Sequence, residues 1–278
     1  MQIGRREVSA LPTVMDFEDG ELALHWTSAA VTHMGKVRKN NEDAYLERPE
    51  VGLWVVADGM GGHAYGELAS RWIVEALQAL QPPSGFGAYV REVKQALLGV
   101  NERLLAEAQR RGQATIGSTV VVLLAWREHC VYLWAGDSRA YLLRNKRLRT
   151  LTWDHGPLEE FVARGLVSRE ESDNYVDSNA ITRAVGASKR LALDCHIQAV
   201  RRGDLFLLCS DGLYREVDHV EIEALLAKGT PEESADALLK LALSRGARDN
   251  LTVVVVSAGE GKQALQVVER SNVVDFAM

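Results

Sequence analysis

The sequence predicts an α+β fold, with two antiparallel β-sheets covered by helices in a single domain. Helical patterns come in pairs, at 64–80 with 88–111 and at 218–228 with 231–246. Strand patterns come as hairpins, with Val/Leu-rich segments at Ser118–Trp126, His129–Ala135 and Ser138–Arg144 separated by turn residues. Helix and strand do not alternate one by one, which disfavours a doubly wound parallel sheet.

Taken in order, residues 1–21 hold Pro12 and an acidic cluster from Asp16 to Glu21, and read as a leader ahead of a domain spanning 22–258. A strand runs from Leu22 to about Thr32, followed by a polar, charged stretch to Asp43, a short strand at Ala44–Leu46 and a turn around Pro49. The apolar run Trp54–Ala57 reads as a buried strand that stops at Asp58. In the first helical pattern Leu68, Trp72, Ile73, Leu77 and Leu80 return to one face; in the second Val90, Val93, Leu97, Val100 and Leu104 do. Between them Gln81–Gly85 is a loop.

Beyond Arg144, Asn145-Lys146 forms a hairpin turn into Leu148–Leu151. Trp153–Val185 is mostly polar, with weak helical pieces near 158–165 and 168–174; so long a stretch in a compact domain suits a lid or binding loop. Strands return at 191–200 and 204–209 around the turn Arg202-Gly203-Asp204, and Leu251–Val256 is the last strand, with a tail over 259–278. Trp26, Trp54, Trp126 and Trp134 lie in strand runs and belong to the core or a sheet face.

Composition narrows the function. With 47% hydrophobic and 25% charged residues the 278-residue chain reads as an ordinary globule, without an apolar run long enough for a membrane span or a signal-peptide core. A formal charge of -6 argues against nucleic acid as a partner. Three cysteines cannot all pair; Cys130 and Cys209 lie in apolar runs and read as buried free thiols, which makes the cytoplasm the expected compartment.

The acidic residues carry the chemical signal. Asp58 ends a buried strand and is followed by Gly59, Gly61 and Gly62, which let backbone approach a ligand. Asp43 stands at a strand edge, Asp137 between two apolar runs, Asp211 where Leu205–Cys209 breaks into Asp-Gly, and Asp249 just before the final strand. Carboxylates held at strand ends and gathered in one cleft would repel one another unless cations neutralise them. Oxygen-only ligation suits Mg2+ or Mn2+. Zinc fits poorly, because the seven histidines are scattered and none pairs with a cysteine at ligand spacing. Ser138 and Ser210 adjoin these aspartates without an acid–His–Ser pattern, so both read as supporting polar residues.

These aspartates fall in segments that occur in a recognisable order. They are Gly35-Lys36-Val37-Arg38-Lys39-Asn40-Asn41-Glu42-Asp43, Ala57-Asp58-Gly59-Met60-Gly61-Gly62-His63, Gly66-Glu67 with Ala69-Ser70, Gly117-Ser118-Thr119, Gly136-Asp137-Ser138-Arg139-Ala140-Tyr141, Ile181-Thr182-Arg183-Ala184-Val185-Gly186, Ser210-Asp211-Gly212-Leu213 and Asp249-Asn250-Leu251-Thr252. Over about residues 30–258 the sequence resembles the PPM/PP2C family of metal-dependent protein serine/threonine phosphatases, in its bacterial form. The resemblance implies a four-layer α-β-β-α sandwich, two Mn2+ or Mg2+ ions and at times a third, phosphorylated proteins as substrates (a Ser/Thr kinase or its targets among them), and a monomer. By the same resemblance Asp58 bridges the two ions, the Gly59 carbonyl reaches one, and Asp211 and Asp249 complete the shell of the second ion. Asp43 stands close by, and Asp137 with Asp211 takes the third ion. The region 156–178 matches a flap that varies among members.

Arg38, five residues before Asp43, is implied to hold the substrate phosphate, for which a guanidinium fork is suited. Read without the motif, it is a solvated charge beside Lys36 and Lys39. The implied mechanism is in-line attack on phosphorus by a hydroxide shared between metals about 3.5–4 Å apart. No protein nucleophile is needed. Some members place a histidine directly after the Asp-Gly pair, where this chain has Met60; the general-acid role is not transferred to His63. The alternatives are a catalytically weak phosphoprotein-binding regulator, disfavoured because Asp43, Asp58, Asp211 and Asp249 are all present, and a phosphatase of small metabolites.

Overall fold

The computed structural model describes residues 24–61, 65–81, 85–112, 115–157 and 181–260. The expected leader, His63, the weak helical pieces near 158–165 and 168–174, the flap beyond Pro157 and the tail beyond Glu260 lie outside the described residues.

One sheet contains β1 (Leu24–His33), β11 (Leu251–Glu260), β10 (Leu205–Cys209), β7 (Arg139–Arg144) and β8 (Arg147–Thr150), in that spatial order. The other orders β2 (Asp43–Arg48), β3 (Leu53–Met60), β5 (Val120–Trp126), β6 (His129–Ala135) and β9 (Asp194–Ala199), with the short β4 (Gly117–Ser118) on the end of β3. All these pairings are antiparallel. Helices α1 (Tyr65–Gln78) and α2 (Phe86–Arg111) cover the second sheet. Helices α4 (His219–Leu226) and α5 (Pro231–Ser244) cover the first, and a single turn, α3 (Asp211–Tyr214), follows β10. The result is the four-layer α-β-β-α sandwich.

Alternation along the strands builds three apolar layers. On β5, Val120, Val122 and Leu124 meet α1 and α2, whereas Val121, Leu123 and Ala125 face the opposite sheet. On β11, Val254, Val256 and Ala258 enter the layer between the sheets, and Leu251, Val253 and Val255 pack beneath α4 and α5. With both faces buried, these strands read as continuous apolar runs although the pairing is antiparallel. Trp54 and Trp134 are fully buried between the sheets, and their indole N–H groups donate to Ser28 Oγ and the Trp153 carbonyl. Trp26 packs on Trp54 at 5.5 Å, and Trp126 stacks on Phe86.

Helix starts are fixed locally. Asp218 with Glu221, and Thr230 with Glu233, form reciprocal capping boxes at α4 and α5, and Pro231 supplies the preset first helical residue of α5. Some elements differ from the sequence reading. β3 does not stop at Asp58 but continues to Met60, because Gly59 and Met60 pair with β4. The last strand continues to Glu260, four residues beyond Val256, because it pairs along its full length with β1. The Asp211-Gly212 pair opens the helical turn α3 rather than a plain loop.

Strand register gathers the acidic positions. The start of β2 pairs with the end of β3, the start of β5 with the end of β6, and the start of β11 with the ends of β1 and β10. Asp43, Asp58, Asp137, Asp211 and Asp249 therefore lie at one common end of the sandwich.

Candidate metal centre

Asp43 and Asp58 are direct partners across the β2–β3 ladder, so both side chains leave the same face. Asp43 Oδ2 accepts hydrogen bonds from Ser210 Oγ and Thr252 Oγ1, each at 2.7 Å, while Oδ1 is buried with no partner. Burial, reinforced by Asp211 and Asp249 and opposed by the two hydroxyls, lifts the Asp43 carboxyl to about 7. Burial and then the charges of Asp43, Asp211, Asp137 and Asp249 push Asp58 well above the usual carboxylate range.

The backbone around Asp58 is fixed on both sides. Its N–H donates to Thr119 Oγ1 at 3.1 Å, and its carbonyl accepts from the Thr119 N–H and from Ser118 Oγ. Thr119 Oγ1 in turn bonds Ser138 Oγ at 2.7 Å, which ties Asp58 to the loop carrying Asp137. Gly59 donates to the Glu42 carbonyl. A Cβ on Gly59 would fall 2.1 Å from the Gly66 carbonyl oxygen at the start of α1, so this strand and helix meet backbone to backbone. That contact explains why position 59 is a glycine.

Asp211 is the first residue of α3, and Ser210 precedes it as the helix cap. The Ser210 hydroxyl makes no capping bond because it is committed to Asp43, and it also accepts from the Thr252 N–H. Arg215 Nε lies 2.9 Å from Asp211 Oδ2, and Asp211 Oδ1 is buried without a partner. Burial raises the Asp211 carboxyl, with Arg215 opposing. Asp137, on the β6–β7 loop, also has a buried unpartnered Oδ1, and burial together with Asp211 and Asp154 lifts its carboxyl to about 7. Asp249 pairs with Arg38, Nη2 to Oδ2 at 2.6 Å, and the Arg38 side chain is 54% exposed at the rim.

Several supporting residues escaped the sequence reading. Asn250 accepts from the Glu42 N–H and donates to the Met34 and Asn40 carbonyls, all at 2.8 Å, fastening the loop before β2 to the start of β11. Thr252 and Thr32 continue a chain of hydroxyls from Asn41 to Asp43. His155 accepts from the Gly136 N–H on Nδ1, and its Nε2 meets Asp194. Asn250 and Thr252 fall in the segment Asp249-Asn250-Leu251-Thr252 that carries the family resemblance, but nothing in it assigns either residue its hydrogen-bonding role. Ser210 matches its expected supporting role.

Among the described residues no three His, Cys, Asp or Glu stand close enough, as placed, to enclose a metal ion. The donors nevertheless fit one. Asp43, Asp137 and Asp211 each keep a buried carboxylate oxygen without a partner, and the charges of the set raise one another. An all-oxygen group of this kind is matched to a hard divalent cation.

Residues 33–252 match the family model described as Protein phosphatase 2C. The chain belongs to that family. It is 33% identical over 237 residues to the serine/threonine phosphatase stp of Listeria monocytogenes, covering 81% of this chain and 93% of that protein. A solved structure of PppA, described as a key regulatory component of T6SS in Pseudomonas aeruginosa, superposes with a TM-score of 0.80 at 42% identity, covering 86% of this chain and 100% of that one. The catalytic domain of the protein phosphatase PstP, solved in complex with two manganese ions, superposes at 0.76 with 33% identity, covering 85% of this chain and 100% of that one. This protein phosphatase 2C is accordingly a metal-dependent serine/threonine phosphatase acting on phosphorylated proteins. Among the described residues, no helix is long and apolar enough to cross a membrane.

Proposed function

We propose that the aspartates at the sheet ends hold two Mn2+ or Mg2+ ions, and that the chain hydrolyses phosphoserine and phosphothreonine in proteins to reverse a Ser/Thr kinase, acting as a monomer. Asp58, the Gly59 carbonyl, Asp43, Asp211 and Asp249 form the ligand set. The observation that carries this reading is the convergence of these carboxylates, two with a buried oxygen that no protein donor satisfies. Bound ions supply Lewis acidity and an activated water for attack on phosphorus.

The chain's own residues do the remainder. Asp43 and Asp58 are held at fixed separation by their ladder, and Ser210 and Thr252 orient the Asp43 carboxylate by donating to one oxygen. Arg38, exposed at the rim, has four further N–H donors besides the one given to Asp249 and can grip phosphate oxygens. The likeness to stp and PppA supports a signalling phosphoprotein as substrate over a metabolite.

The test is turnover of phosphothreonine peptides by the full chain with added Mn2+, against a chelated control and a panel of phosphorylated metabolites. Activity on peptides that disappears with chelator is expected. An intact fold with no peptide turnover, or higher kcat/KM on a metabolite, would remove this reading.

A further inference from the structure

We propose that Arg215 is a built-in cation that takes the place of a third metal ion between Asp137 and Asp211. This rests on the two-ion centre proposed above and adds that, in this chain, the centre is complete with two.

The position is set by the turn after β10. Arg215 follows α3 four residues after Asp211, and one helical turn brings its side chain back over that carboxylate. Nε lies 2.9 Å from Asp211 Oδ2, and Nη2 lies 3.8 Å from Asp137 Oδ2. One guanidinium thus spans the two carboxylates that the family resemblance would give to a third ion. Its neighbour Tyr214 donates its hydroxyl to the Asp137 carbonyl at 3.0 Å. The Arg139 guanidinium lies 3.6 Å over the Tyr214 ring and is bonded through two nitrogens to Asp154. The Asp137 loop is therefore clamped to the turn that carries Arg215, and the guanidinium's distances to both carboxylates are fixed by the fold.

A tethered charge competes well with a free ion. Arginine remains protonated throughout the working pH range, and its planar fork matches carboxylate oxygens. A third ion would have to displace it from both aspartates. Pairing through Oδ2 leaves Oδ1 of both Asp211 and Asp137 buried and unpartnered, with Asp211 Oδ1 as the oxygen for a central ion. The Arg215 side chain is 31% exposed, so its replacement opens a solvent-reachable gap between two carboxylates.

The experiment counts ions on the metal-stripped full chain by Mn2+ titration calorimetry, with electron paramagnetic resonance reporting free Mn2+. Wild type should bind two ions, Arg215→Gln three with the additional one weaker, and Arg215→Lys two. Asp137→Asn, which does not depend on the folding of an Arg215 variant, should leave the count at two. Circular dichroism checks each fold. Three ions in wild type, an unchanged count in a folded Arg215→Gln, or loss of an ion in Asp137→Asn would overturn the role of Arg215 while leaving the central pair in place. Fewer than two ions in wild type would instead remove the two-ion centre, and this role with it.

Discussion

Asp43 and Asp58 stand directly opposite each other in the β2–β3 ladder, two carboxylates on one face of an antiparallel pair. Like charges in this position destabilise a sheet by roughly 0.2–1 kcal/mol, and here Asp211, Asp137 and Asp249 add to the repulsion. Such an arrangement costs stability until a cation arrives. Asp58→Asn should therefore raise the melting temperature of the metal-free protein by roughly 2–4 °C, the shift that about 1 kcal/mol produces in a domain of this size. Wild type should gain about 2.7 kcal/mol from Mn2+ at a hundredfold excess over Kd, and the variant little, with turnover lost. Scanning calorimetry with and without Mn2+ decides it. A variant that melts below metal-free wild type, yet still gains from Mn2+, would show that the pair is no cation site.

Asn250 holds the site together without being part of its chemistry. It is 6% exposed and bonds three backbone groups from the segment before β2. Asn250→Ala leaves those groups unpaired and should cost about 2–3 kcal/mol, lowering the melting temperature by roughly 5–10 °C. Asn250→Asp keeps the acceptor for the Glu42 N–H but sets a buried carboxylate oxygen against the two carbonyl oxygens, and should melt no higher than the alanine variant. Thermal melts of the three proteins check the order; an alanine variant that melts with wild type would mean that water satisfies the three groups.

The two kinds of residue at this site were not equally legible. Asp58 and Asp211 announce themselves locally, each ending a buried apolar run with Asp-Gly, and the strands and helices follow from period and turn chemistry. Ser210 and Asp43 are 167 positions apart, and Asn250 and Glu42 are 208 apart. Nothing in the spacing around either partner encodes those contacts, which exist only once β2, β10 and β11 converge. Arg215 was hidden for a related reason. Its relation to Asp211 is local and helical, but the helical pattern in the sequence begins only at 218, and the turn of α3 is what returns Arg215 to the carboxylates. The strand beyond Val256 was missed because Ser257–Glu260 lacks apolar alternation; its pairing with Leu24–Thr27 keeps it extended.

The cysteines give a separate check on the core. Cys130 lies between the two sheets and Cys209 beneath α4 and α5, both fully buried, and burial pushes both thiols far up. Cys195, on β9, is only partly buried; burial raises its thiol too, with Lys94 opposing, and its exposure is what sets it apart. Native protein should react through Cys195 alone with a thiol-specific disulfide reagent, and through all three after denaturation, since the thiolate is the reactive form. Rapid native modification of two or more thiols, counted by mass spectrometry, would contradict the packing of one of these layers.

Arg38 separates substrate binding from metal chemistry. Its guanidinium donates to Asp249 at 2.6 Å, and its side chain is 54% exposed, so it is anchored at one corner and open at the others. Asp249 holds it charged. A fork anchored in this way presents its free N–H groups to an incoming phosphate in a restricted orientation. Charge-assisted hydrogen bonds of this type are worth about 1.5–3 kcal/mol, which corresponds to roughly 10–150-fold in kcat/KM. Arg38→Ala should therefore raise KM for phosphopeptides without weakening the response to Mn2+, because the variant removes a competing cation from Asp249 and no ligand. Arg38→Lys should recover part of the loss, having the charge but no planar fork. The loss should shrink for p-nitrophenyl phosphate if its better leaving group makes the rate less dependent on phosphate placement. Steady-state kinetics on both substrates across a Mn2+ titration provide the test. Unchanged phosphopeptide KM and kcat in Arg38→Ala would leave Arg38 as a surface partner of Asp249 and assign the phosphate to another group.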